Sequence, residues 1–130
     1  MTSNVWIQSV KFGIVGIANT LFGLFIIYAA MFVTDGNIVA SNIAGYACGT
    51  LLSFALNRGW TFQSDQPARR VLPRYVVVLA VSYVANLAAV LTATHKLGVN
   101  PYFSQPVGIA VYTALMFFGC RLFVFRSSPV

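Results

Sequence analysis

Glutamate is missing from the 130-residue chain, and acidic side chains are confined to Asp35 and Asp65. No carboxylate pair for acid–base work appears, and no serine or cysteine nucleophile stands beside a base. One histidine, His95, and two cysteines, Cys48 and Cys120, form no metal motif. No glycine-rich phosphate loop is present. The sequence therefore gives no case for an enzyme, a metal site or a cofactor. Charge of either sign is scarce, at 8% of residues. The eight Lys and Arg give a net charge of +6, yet they lie between long apolar runs rather than on a polar face, so nucleic acid is not the expected partner. The N-terminal apolar run is longer than the roughly 7–15 residues of a signal core and lacks a small-residue cleavage site, so it reads as a span.

What is abundant is apolar side chain, 58% of residues. A water-soluble domain of this size has too much surface to hide that fraction, and the natural solvent is lipid. Residues 12–33, 38–56, 75–93 and 102–122 carry almost no charge and suffice to cross a hydrocarbon core of about 30 Å. Lipid requires every backbone group to be bonded within its own segment, so all four are expected as helices. Residues 1–10 read as a separate amphipathic segment on the membrane surface. Residues 34–37 and 94–101 read as outer turns, and residues 63–73 as a polar linker. Lys11, Arg58, Arg69, Arg70, Arg74, Arg121 and Arg126 then share one side, against Lys96 alone on the other. That bias places both termini in the cytoplasm.

The second half repeats the first at an offset of 63. SFALNRGWTF, residues 53–62, falls on MFFGCRLFVF, residues 116–125, matching Phe54 to Phe117, Arg58 to Arg121, Trp60 to Phe123 and Phe62 to Phe125. The same offset carries Lys11 onto Arg74, Phe12 onto Tyr75, Asn37 onto Asn100, Ser41 onto Ser104 and Gly45 onto Gly108. A gapless match at a constant period predicts two tandem repeats, about 11–62 and about 74–125. Each holds two spans, so both have the same orientation and should superpose by roughly half a turn about the membrane normal. The expected fold is an all-α membrane protein of four transmembrane helices.

Arg58 and Arg121 are the sharpest chemical features. If the aromatics that follow them form an interfacial belt, each arginine lies four residues deeper, about 6 Å at α-helical rise. A guanidinium there fits a phosphate in two-point geometry; the competing reading is a topology anchor that snorkels to lipid headgroups. Lys11 and Arg74 could complete a ring of basic groups, although marking topology is their simpler role. Asn19, Asn57, Ser82 and Asn86 are polar groups within or at the edge of spans. They serve either interhelical hydrogen bonding or a polar track for a sugar headgroup. Gly13, Gly16, Thr20 and Gly23, and Ser41, Gly45, Gly49 and Ser53, form small-residue faces for close helix packing.

KFGIVGIANT at the start of the first span, SFALNRGWTF, the Arg74-Tyr75 start of the third span and CRLFVF at the close of the fourth resemble the GtrA-like family over about residues 11–125. The resemblance implies a single transmembrane domain in the bacterial inner membrane. It also implies translocation of a polyprenyl-phosphate-linked sugar for cell-surface polysaccharide synthesis or glycosylation, without catalysis. Arg58, Arg121, Lys11, Arg74, Asn57 and Trp60 would hold the lipid-linked sugar, and Asn19, Ser82 and Asn86 would line its track. The expected partners are that ligand, membrane lipid, further copies of the chain in a homo-oligomer and a glycosyltransferase. An anchor that recruits the glycosyltransferase without transporting anything is the alternative. A multidrug-type exporter is disfavoured, because proton coupling normally uses an intramembrane carboxylate and the spans have none. The family usually opens Arg-Phe where this chain has Lys11-Phe12, and an Asn often stands where it has Cys120.

Overall fold

A computed structural model describes residues 4–126. Among them the regular structure is helical: α1 (Val5–Val33), α2 (Ile38–Leu56), a π-helical turn (Asn57–Thr61), α3 (Ala68–His95), α4 (Pro101–Gly119) and a second π-helical turn (Cys120–Val124). Four stretches, Val5–Val33, Ile38–Thr61, Ala68–His95 and Tyr102–Val124, are long and apolar enough to cross a membrane. The protein is a multi-pass membrane protein.

Two spans begin earlier than expected. Val5–Val10 is continuous with α1 rather than a separate surface segment, and residues 1–3 of that segment lie outside the described residues. No proline or glycine interrupts the chain before Gly13. Asn4 caps the helix, its side chain accepting from the backbone N–H of Trp6 at 2.9 Å and Ile7 at 3.4 Å. The linker expected over residues 63–73 is shorter, because α3 starts at Ala68. Pro67 is the extended N-cap residue, and its carbonyl accepts from Arg70 and Val71. Pro73 is tolerated inside α3 because the one bond it forgoes, to the carbonyl of Arg69, lies next to the helix end.

The chain forms two compact units, Met1–Ser64 and Asp65–Val130. In the first, α1 packs against α2 and the first π turn; in the second, α3 packs against α4 and the second π turn. The α1–α2 turn reverses through Asp35 and Gly36, both at positive φ, and the Asn37 side chain caps α2. Gly98 at positive φ and the Asn100 cap serve the α3–α4 turn.

The packed stripe of α1 runs through Gln8, Phe12, Val15, Asn19, Gly23 and Ile27, at steps of three or four that keep one helix face inward. On α2, Ser41, Gly45, Gly49 and Phe54 are buried. The helices touch at the backbone: a Cβ on Gly45 would stand 3.0 Å from the Gly23 carbonyl oxygen. Gly13 and Gly16 differ from expectation, since a Cβ on either would meet nothing within 4 Å. They lie beside the packed stripe, not on it. The stripe of α3 is Val71, Tyr75, Val78, Ser82, Asn86 and Val90, each 63 positions beyond its α1 counterpart. Every helix turns large apolar side chains outward, such as Phe32 at 89% exposed and Tyr102 at 86%. Those faces are compatible only with lipid or further protein.

Candidate functional site

The end of each unit that carries the basic residues is built on a π turn. In the first unit the backbone N–H of Phe62 donates to the Asn57 carbonyl at 2.9 Å, a five-residue step that widens the helix. Ser64 N–H then reaches the Arg58 carbonyl at 2.8 Å. The wider turn lets Asn57, Thr61 and Phe62 all face inward, at 1%, 2% and 5% exposure. Arg58 is left half-buried, and Gly59 and Trp60 are exposed. Four residues of π turn also advance less than the same length of α-helix, so the expected 6 Å step between Arg58 and Phe62 does not apply.

Phe62 and Phe125 are core residues rather than an interfacial belt. Phe62 meets the Phe12 ring edge-on, centroids 6.3 Å apart, and Phe125 lies 6.4 Å from the Tyr75 ring. The exposed aromatics are Trp60 and Phe123, and each carries a cation. Lys11 Nζ stands 5.3 Å from the Trp60 ring centroid and donates to the Trp60 carbonyl at 3.4 Å. Arg74 Cζ stands 5.6 Å from the Phe123 ring. Such pairs contribute about 0.5–1 kcal/mol at exposed sites, and they fix where the side chain of the first helix sits. Lys11, Asn57, Arg58 and Trp60 thus gather at one end of the first unit. Arg74 and Arg121, which is half-buried, gather at one end of the second.

The two ends differ inside. Asn57 Nδ2 donates to Ser53 Oγ at 3.2 Å, while Asn57 Oδ1 and Thr61 Oγ1 are buried with no hydrogen-bond partner. The second unit has Cys120 and Val124 in their place, both at 0% exposure. An orphaned polar atom costs about 1–3 kcal/mol, so the first π turn is the less stable of the two on this count.

The polar residues within the spans sit at the helix contacts. A Cβ on Gly49 would lie 2.8 Å from Asn19 Oδ1, so a glycine hydrogen points at the amide oxygen in the geometry of a weak Cα–H···O contact. Asn86 Oδ1 is lodged against Gly108 in the same way. Neither oxygen has a conventional partner, and Ser82 Oγ is likewise buried without one. Glycine in the facing helix is what makes room for each amide. Nearer the α1–α2 and α3–α4 turns, Thr94 Oγ1 donates to Ser104 Oγ at 2.9 Å, and Thr34 and Ser41 hydroxyls stand 3.5 Å apart. Sequence reasoning missed both threonines and Thr61. The serines stand 63 positions apart, but position 34 + 63 is Leu97, so that offset carried no signal for the threonines.

No curated protein and no solved structure matches the chain. The family model of the GtrA/DPMS transmembrane domain matches residues 11–125, which takes in all four spans and both π turns. With four membrane-spanning helices and the GtrA-like motifs at both π turns, the chain belongs to the GtrA/DPMS transmembrane-domain family.

Proposed function

We propose that the protein translocates a polyprenyl-phosphate-linked sugar across the bacterial inner membrane, as a single non-catalytic transmembrane domain made of two tandem repeats. The observation that carries the reading is the half-buried arginine inside a π turn, Arg58 in one unit and Arg121 in the other, 63 residues apart. Widened turns of this kind are frequent at functional sites. Family membership fits handling of polyprenyl-phosphate sugars. The guanidinium fork binds the phosphate. The exposed Trp60 and Phe123 rings, held by Lys11 and Arg74, offer flat surfaces at the same end of each unit. Asn19, Ser82 and Asn86 carry orphaned oxygens buried within the spans, and they line a polar track only when the packed helices part. The bias of positive residues supports a cytoplasmic side for both termini, and the phosphate is taken up there in this reading. A homo-oligomer belongs to this reading, because two helices in contact at glycine backbone enclose no sugar-sized space. A glycosyltransferase that makes or uses the lipid-linked sugar is the expected protein partner.

The test is Arg58→Lys combined with Arg121→Lys. Lysine keeps the charge and the insertion signal but loses the two-point geometry. Binding of polyprenyl phosphate to the purified, correctly inserted variant should fall about tenfold or more, the loss of a charge-assisted hydrogen bond at each site. Binding at wild-type strength would reduce both arginines to topology anchors.

A further inference from the structure

A second cluster of arginines lies outside the π turns. Arg69 and Arg70 are exposed in the first turn of α3. That turn holds no acidic residue, and its N-cap, Pro67, offers no side-chain acceptor. Two cations therefore stand at the positive end of a 28-residue helix, where the backbone dipole disfavours them and nothing in the turn offsets the charge. The Gln66 side-chain amide donates to the carbonyl of Arg126 and so ties the exposed Arg126 to the same turn. Arg74, over Phe123, and Arg121, in its π turn, are less exposed than this group. The lipid-facing side chains Val76 and Val77 begin six residues beyond Arg70, about 9 Å along the helix. The guanidiniums therefore stand at headgroup depth when those valines are in hydrocarbon.

We propose that Arg69, Arg70 and Arg126 form a binding surface for the phosphodiester headgroup of anionic glycerophospholipids, separate from the Arg58 and Arg121 phosphate sites. Marking topology requires only positive charge in the loop. This arrangement adds two exposed arginines in one helix turn and the exposed Arg126 tied beside them through its backbone, a positive excess over the nearby Asp65 that an anionic headgroup offsets. The proposal rests on the membrane character of the chain and not on transport.

Native mass spectrometry of the detergent-solubilised full chain tests it, with phosphatidylglycerol and phosphatidylcholine titrated separately. Phosphatidylglycerol should bind and phosphatidylcholine should not at equal concentration. Each of Arg69→Gln, Arg70→Gln and Arg126→Gln should weaken phosphatidylglycerol about fivefold, and the triple variant on the order of a hundredfold. Lys96→Gln in the outer turn should leave it unchanged. The triple variant, checked for wild-type helicity, should retain polyprenyl-phosphate binding, and millimolar inorganic phosphate should not displace the lipid. Unchanged phosphatidylglycerol binding in the triple variant overturns the proposal. So does a parallel loss of polyprenyl phosphate, which would merge the two sites, or displacement by inorganic phosphate, which would make it a free-anion site.

Discussion

Gly45→Ala is the substitution whose cost follows most directly from the geometry. The new methyl group would overlap Ile27 Cγ1 and stand 3.0 Å from both Ile27 Cδ1 and the Gly23 carbonyl oxygen. The isoleucine can change rotamer, but the carbonyl is backbone and moves only if α1 is pushed away from α2. Overpacking of this kind costs about 1–3 kcal/mol. Against it stands the gain of about 1 kcal/mol from replacing glycine by alanine in a helix interior. Gly16→Ala collects the same gain with no contact to relieve, since nothing lies within 4 Å of its Cβ. The difference between the two variants therefore isolates the overpacking: Gly45→Ala should be less stable than Gly16→Ala by about 1–3 kcal/mol. Thermal loss of helicity in one detergent, followed by circular dichroism, reads that difference as a lower midpoint. Adding Ile27→Ala should recover only part of the loss, because the carbonyl contact persists. Equal midpoints for Gly45→Ala and Gly16→Ala would refute the close approach of α1 and α2 at Gly23.

Thr94→Val keeps the side-chain shape and removes the 2.9 Å bond to Ser104, so it should cost about 0.6 kcal/mol, while Thr34→Val removes a 3.5 Å contact to Ser41 and an exposed 2.7 Å bond to the Ala30 carbonyl that water replaces, and should cost less in the same melt. Single cysteines at Gln63 or Asp65, both exposed before α3 begins, should be shielded from a membrane-impermeant thiol reagent added outside the cell in a background lacking Cys48 and Cys120. Strong labelling from outside would reverse the orientation.

The spans were legible because lipid leaves an apolar segment one backbone solution, and the α1–α2 turn because Asp35-Gly36 can take positive φ. The helix starts at Val5 and Ala68 were not. Both lie in polar-mixed sequence where capping by Asn4 and the extended Pro67 decide, and these act through local geometry rather than hydropathy. The π turns were invisible residue by residue, since Asn57 (φ −67, ψ −41) and Cys120 (φ −64, ψ −46) have ordinary α-helical dihedrals. The hydrogen-bond register changes, and the dihedrals depart where the turns close, at Phe62 (φ −105, ψ −10) and Phe125 (φ −103, ψ 15). Their position was nonetheless marked by the repeated arginine and alternating aromatics. Those aromatics were misread as one class: Trp60 and Phe123 face outward, whereas the wider turn brings Phe62 and Phe125 inward against Phe12 and Tyr75. Asn19 and Asn86 could be located from sequence, but the glycines opposite them could not, because helix register is set by the packed pair.

Translocation itself is tested by reconstituting the purified chain in sealed proteoliposomes with a fluorescent polyprenyl-phosphate-linked sugar in both leaflets. A membrane-impermeant agent that destroys the sugar label reaches only the outer leaflet, so label lost beyond one half measures crossing. The account predicts loss well beyond half with the wild-type chain, and loss confined to half both in protein-free vesicles and with the Arg58→Lys, Arg121→Lys variant. Loss confined to half with a correctly inserted wild-type chain that still binds the ligand would contradict transport and leave the anchor reading.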